Sequence, residues 1–338
     1  MKKYSYILFL FFVLLAACKK EEKKATFEGF KAPSNFPTPT YDFSGNPVTE
    51  AGFTLGKKLF YDGRLSRDGT VSCGTCHISF SAFSHFGHSV SHGIDGKLGS
   101  RNAPAVQNMA WEPFFFWDGG VFNLDLFSIN PIQNHLEMDE TIPNVVAKLK
   151  ADAEYVKQFK AAFGTEDVTA TRMYLALSQF MCMLVTNNSK YDQVLNGTAS
   201  FTTQENAGKQ LFEQKCASCH SGILFTDHAF KNNGLSLTND IGRGRITLNT
   251  NDDHCFKVPS LRNIAKTTPY MHDGRFSTLE QVLNHYASGV QNTPTLDTLL
   301  KQNGQLGIPL TNDEKANIIL FLNTLTDETF IKNPLFAE

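Results

Sequence analysis

Charge is scarce in this chain of 338 residues: Asp, Glu, Lys and Arg make up 19%, and the formal net charge is −2. With no basic surplus there is no electrostatic footprint for a polyanion, so the composition argues against nucleic acid as a partner. Long apolar runs are missing as well. The most pronounced run, Tyr6 to Ala17, falls short of the roughly 20 residues that cross a bilayer. It follows Lys2 and Lys3 and reads as an export signal over 1–17 rather than a membrane span. Cysteine is limited to seven residues, and four of them are concentrated in two short motifs. Phenylalanine is plentiful at 29 residues, which suits packing against a flat macrocycle but suits an ordinary core equally well.

The two motifs organise everything else. Cys73-Gly74-Thr75-Cys76-His77 and Cys216-Ala217-Ser218-Cys219-His220 both read C-x-x-C-H, the attachment signature of c-type haem. Two thiols one turn apart add to the two vinyl groups of a haem. The histidine that follows then lies under the iron as an axial ligand. A zinc site needs further Cys or His at ligand spacing, and a redox dithiol does not need the following histidine. Two such motifs in an exported chain therefore imply two covalently bound haem c groups. Cys182 and Cys255 remain, either as a pair or as buried free thiols.

The leader ends Leu15-Ala16-Ala17-Cys18, which resembles a bacterial lipobox; cleavage there leaves Cys18 to carry lipid and hold the protein on a membrane. Residues 18–45, charged and then proline-rich, read as a flexible tether. Thr49 to Phe60 has helical spacing and ends Gly56-Lys57-Lys58-Leu59-Phe60. The same ending returns as Gly208-Lys209-Gln210-Leu211-Phe212, where Thr202 and Glu205 form a capping box. A helix ending G-K-x-L-F before C-x-x-C-H, found twice, implies a duplicated unit. Val145 to Phe163 and Thr169 to Leu184 read as amphipathic helices, and Asn187 to Phe201 as a linker. The expected fold is all-α: two cytochrome c-like domains over 46–195 and 196–338, each with one covalent haem, facing an interdomain seam.

Further motifs follow in order: Arg101-Asn102-Ala103-Pro104, Phe116-Trp117-Asp118-Gly119, Pro131 to Met138, Phe256 to Asn263, and Pro269-Tyr270-Met271-His272-Asp273-Gly274. Together with the haem motifs they resemble the bacterial di-haem cytochrome c peroxidases, the group that also contains MauG. The resemblance implies roles for single residues. Glu137 is the acid/base beside the peroxidatic iron of His77, with His135 a weaker candidate. Where the family often has a glutamine ten residues before the glutamate, this chain has Phe127. Trp117 stands between the haems. Asn102, with carbonyls of Thr267 and Pro269, is implied to bind calcium. His92 is the implied distal ligand of the first iron, with His88 and His85 behind it. For the second iron, held by His220, the sixth ligand is Tyr286, seventeen residues after Pro269, or alternatively Met271. Arg262 and Arg275 are candidates for haem propionates.

The activity implied is reduction of hydrogen peroxide to water, with electrons from a small periplasmic cytochrome c or cupredoxin. The protein would sit on the periplasmic side of a bacterial membrane, and the resemblance also implies a homodimer. One alternative is a MauG-like enzyme that oxidises a protein or organic substrate through a high-valent bis-haem state. A non-enzymatic di-haem electron carrier is the other.

Overall fold

The computed structural model describes residues 26–302 and 304–338, so the signal over 1–17 and Cys18 lie outside the described residues. Four helices carry the duplication: α1 (Glu50–Tyr61), α2 (Ala170–Met183), α3 (Thr203–Lys215) and α4 (Asn312–Asn323). Each begins at a threonine whose side chain accepts a backbone N–H of the first turn: Thr49, Thr169, Thr202 and Thr311. Among the described residues no helix is long and apolar enough to cross a membrane. Among the described residues, sheet is confined to two antiparallel ladders, Phe230–Lys231 with Phe256–Lys257 and Lys301–Gln302 with Gln305–Leu306.

The repeated glycine explains how the unit is built. α1 crosses α2 at Gly56, where a Cβ would stand 1.9 Å from the carbonyl oxygen of Ala176. α3 crosses α4 at Gly208, where a Cβ would stand 1.9 Å from the carbonyl oxygen of Asn317. The same three aromatics then fill each crossing. Phe60 lies 5.0 Å from Phe180 and 6.0 Å from Phe83; Phe212 lies 5.2 Å from Phe321 and 5.8 Å from Phe225. Alanine at either glycine brings about 1 kcal/mol of helix propensity but forces two backbones apart, at about 1–3 kcal/mol. Gly56→Ala and Gly208→Ala are therefore expected to lower the thermal unfolding temperature, although each improves an isolated helix.

The segment read as one helix over Val145–Phe163 is two, Ile142–Lys150 and Ala153–Phe163, because Asp152 turns its carboxylate onto Glu154 N–H and opens a new helix. The linker carries a helix of its own, Lys190–Leu195, closed by a Ser189/Asp192 capping box.

The tether reading is corrected for residues 26–45. Phe36 is buried and stands 5.1 Å from Trp111, whose indole N–H donates to the Pro37 carbonyl at 2.7 Å. Phe30 stacks on Phe43 at 4.3 Å, and the Tyr41 hydroxyl reaches Asp125 at 2.8 Å. Aromatic side chains spaced through the segment bury against the first unit and overcome the chain entropy of a free linker. At the other end, Phe330, Ile331 and Phe336 join the core of the first unit rather than that of α3 and α4. Phe330 stands 5.7 Å from Phe83, and the Tyr61 hydroxyl donates to the Phe336 carbonyl at 2.8 Å. Cys182 and Cys255 are both free and buried.

Candidate active site

Each C-x-x-C-H motif bends so that its histidine N–H returns to the first cysteine carbonyl, at 2.9 Å for His77 and 3.0 Å for His220. The two imidazoles are then fixed in the same way. His77 Nδ1 lies 2.9 Å from the Phe83 carbonyl, and His220 Nδ1 lies 3.1 Å from the Phe225 carbonyl. A carbonyl only accepts, so Nδ1 carries the proton and Nε2 is left with its lone pair for iron. Phe83 and Phe225 present these carbonyls from left-handed backbone, with φ of 60° and 55°. That costs about 1–3 kcal/mol at each residue. Burial pushes both histidines below their ordinary range, which keeps them neutral and ready to ligate.

The thiols fit the same group. Burial pushes Cys73 to about 12, Cys76 to about 11 and Cys216 to about 12, and Cys219 is raised as well. Half-buried, neutral sulfurs at the mouth of a large cavity suit thioether links to a macrocycle better than they suit a reactive dithiol. The cavities have room for one: about 590 Å³ beside His77 and about 700 Å³ beside His220, within the size range of cofactor pockets. The residues present therefore fit two haem c groups.

Into the first cavity project His77, His92, Trp117, Phe127 and Glu137. Glu137 sits on the loop after the helix Ile129–Gln133, and its Oε1 accepts the Asn134 side-chain N–H at 2.9 Å. Burial raises its carboxyl above the ordinary range, while the Asn134 bond holds it back down. Gly93 is what lets the His92 loop lie against this wall: a Cβ there would stand 2.6 Å from Glu137 Cα. His92 thus borders the cavity, whereas His85 and His88 stack on each other at 4.3 Å behind it. His135 is exposed and does not border it. Asn134 was not singled out by the sequence; its place three residues before Glu137 was the available signal.

The second cavity holds Cys216, Cys219, His220, Met271 and Tyr286 together. Tyr286 lies in a π-turn, His285–Gly289, of the kind that collects at functional sites. Burial pushes its phenol up to about 12.

Trp117 borders both cavities. Its indole N–H donates to the Asn102 carbonyl at 2.9 Å, and its own carbonyl accepts Lys257 N–H at 2.7 Å. Next to it a charge cluster crosses the seam. Arg101 reaches Asp240 at 2.6 and 2.7 Å and Asp118 at 2.6 Å, and Arg245 reaches Asp118 at 2.6 Å. Arg101 and Arg245 both border the first cavity. Arg262 does not serve a haem. It is 1% exposed and forks onto Asp192 at 2.8 and 2.9 Å, away from both cavities. Arg275 is occupied by Asp273 at 2.9 Å. Asn102, Thr267 and Pro269 all border the second cavity. The Asn102 amide N–H₂ faces the Ser89 carbonyl at 3.1 Å, which turns its oxygen the other way, as an oxygen donor for a hard cation requires.

Comparison with known proteins agrees with this architecture. The family model for di-haem cytochrome c peroxidase matches residues 50–200, and that for cytochrome c matches residues 205–326. The methylamine utilization protein MauG of Methylorubrum extorquens is 35% identical over 93% of this chain and 88% of its own length. The cytochrome c551 peroxidase of Pseudomonas aeruginosa is 33% identical over 86% of this chain and 83% of its own. A crystal structure of a MauG-like protein associated with microbial copper homeostasis superposes with a TM-score of 0.83 at 34% identity, covering 91% of this chain and 98% of the other. With paired haem-attachment motifs, duplicated helical units and relatives of this extent, the chain belongs to the di-haem cytochrome c peroxidase family.

Proposed function

We propose that this di-haem peroxidase reduces hydrogen peroxide to water at the first cavity, using electrons that enter through the second from a small cytochrome c or cupredoxin. Haem c supplies the redox chemistry at both centres, held by Cys73, Cys76 and His77 and by Cys216, Cys219 and His220. The observation that carries the reading is a half-buried carboxylate, Glu137, in the same cavity as His77. Peroxide must lose the proton of its near oxygen, and its far oxygen must gain one to leave as water. Glu137 takes the first proton and returns it to the second oxygen, and Asn134 holds the carboxylate in register for both transfers. Two electrons and two protons convert one peroxide to two waters. With haem bound, His92, which borders the first cavity, would be the side chain that has to clear the peroxide position. Trp117, bordering both cavities, carries the electronic connection. Asn102 with the carbonyls of Thr267 and Pro269 holds calcium at the seam. The protein acts outside the cytoplasm, anchored through a lipid on Cys18, and assembles as a homodimer.

The test is stopped-flow mixing of the holoprotein with a reduced small c-type cytochrome and peroxide. Two cytochromes oxidised per peroxide support the proposal; no peroxide-dependent oxidation overturns it. Trp117→Phe is expected to slow the transfer between the two centres while leaving peroxide consumption by the fully reduced protein unchanged, as read by single-turnover absorption. A MauG-like oxidation of a protein or organic substrate is the second reading, favoured by Tyr286 at the second cavity. It predicts weak cytochrome turnover.

A further inference from the structure

The second cavity offers two side chains for one coordination position, Met271 and Tyr286, and one neighbour reaches the sulfur of the first and the residue beside the second. The Asn233 side-chain nitrogen lies 3.4 Å from the Met271 sulfur. A thioether has nothing to donate, so it is the N–H₂ end of the amide that faces it. Tyr286 borders the same cavity as Asn233 and Met271.

Asn233 is held firmly. On one side, Asn232 gives its amide to Thr293 and Thr295 at 3.0 and 2.8 Å and accepts Gly234 N–H at 2.8 Å. On the other, Gly234 takes a φ of 73°, and its carbonyl accepts Gln291 N–H at 2.8 Å. The Asn233 carbonyl accepts His285 Nε2–H at 3.0 Å, which ties it to the residue beside Tyr286 in the π-turn. Tyr286 is pinned in turn by Ile308 N–H at 2.7 Å. Met271, by contrast, projects from a left-handed residue with a φ of 73° in the Tyr270–Phe276 turn. One candidate ligand thus sits on a braced turn, and the other is engaged at its sulfur by a braced amide.

We propose that Asn233 is a positioning residue that selects the sixth ligand of the second haem: its amide holds the Met271 sulfur away from the iron, and its carbonyl, through His285, steadies the turn that carries Tyr286. This rests on the reading that Tyr286 is that ligand. A donor on the sulfur competes with the metal for thioether electrons, and a braced turn fixes where the phenol stands, as partners of ligating groups do elsewhere. The choice sets the second centre's character, because a thioether raises the potential of a haem iron.

The test uses the holoprotein with both haems attached, verified by mass, and reads absorption, EPR and the midpoint potential of the second haem. The wild type is expected to show a phenolate-to-ferric charge-transfer band that Tyr286→Phe removes. Asn233→Leu is expected to lose that band, gain the near-infrared band of thioether ligation and shift the potential upward. Asn233→Leu combined with Met271→Leu then loses the thioether band. Asn233→Gln, which keeps a donor, is expected to retain phenolate ligation. If Asn233→Leu does not take up both haems, Asn233→Ala gives the same readings. If Tyr286→Phe removes the band but neither Asn233→Leu nor Asn233→Ala changes spectrum or potential, the proposal is overturned and the tyrosine reading stands. If Tyr286→Phe leaves the wild-type spectrum intact, both fall together.

Discussion

Glu137→Gln is expected to lower the rate of peroxide reduction by about a hundred- to ten-thousand-fold, the range lost when a positioned proton carrier is removed. Glutamine keeps the shape and the contact with Asn134 but has no exchangeable charge. Haem content and resting spectra should therefore match the wild type, and the loss should appear in the reaction with peroxide alone. The pH dependence has a definite sign. Glu137 must be ionised to take the first proton, and burial raises its pKa. Activity is thus lost as pH falls through that raised value, sooner than for an ordinary carboxylate. Asn134→Ala removes the bond that favours the ionised form, so the acid limb of the profile should move to higher pH. Steady-state rates against pH for the three proteins check both statements; an unchanged rate in Glu137→Gln would remove the carboxylate from the mechanism.

Arg262→Met is expected to cost about 3–5 kcal/mol of stability, the penalty for leaving one partner of a buried ion pair alone. Arg262 and Asp192 are both almost wholly sequestered. The guanidinium also donates to the Ile223 carbonyl at 2.9 Å and the Thr186 carbonyl at 3.2 Å. It therefore joins the loop after the second haem motif to the linker and its short helix. Replacing both members, Arg262→Met with Asp192→Leu, should be much milder, because no charge is stranded. Denaturant unfolding of the three holoproteins measures the difference. Equal losses in single and double variants would show that the carbonyl contacts of Arg262, not the charge pair, dominate.

What could be read from the residues follows the range of the interaction. Cys73 to His77 and Cys216 to His220 are legible because attachment chemistry acts within five consecutive residues. The G-K-x-L-F endings were legible as a repeat, but their reason was not: Gly56 and Gly208 matter for where another helix crosses them. The pairing of His77 with the Phe83 carbonyl depends on backbone strain, which side-chain type does not announce. Arg262 looked available for a propionate because its partner, Asp192, lies in a segment taken for a linker. Residues 26–45 looked free because prolines dominate the eye. Phe30, Phe36, Tyr41 and Phe43 were the signal that the segment docks. The sixth ligands were hardest, since Asn233, Met271 and Tyr286 come from three separate loops.

The return of Phe330, Ile331 and Phe336 to the first unit bears on how the protein is made. Tyr61 and Phe336 are 275 positions apart, yet they meet. Domains usually fold in the order in which they are synthesised, but here the earlier half waits for the later one to supply part of its floor. A long loop must close at an entropic cost before that floor is complete. Until then Phe83, whose carbonyl fixes the first iron's histidine, lacks its contact with Phe330. Splitting the gene between the two haem units is therefore expected to leave the front half without Phe330, Ile331 and Phe336 of its core.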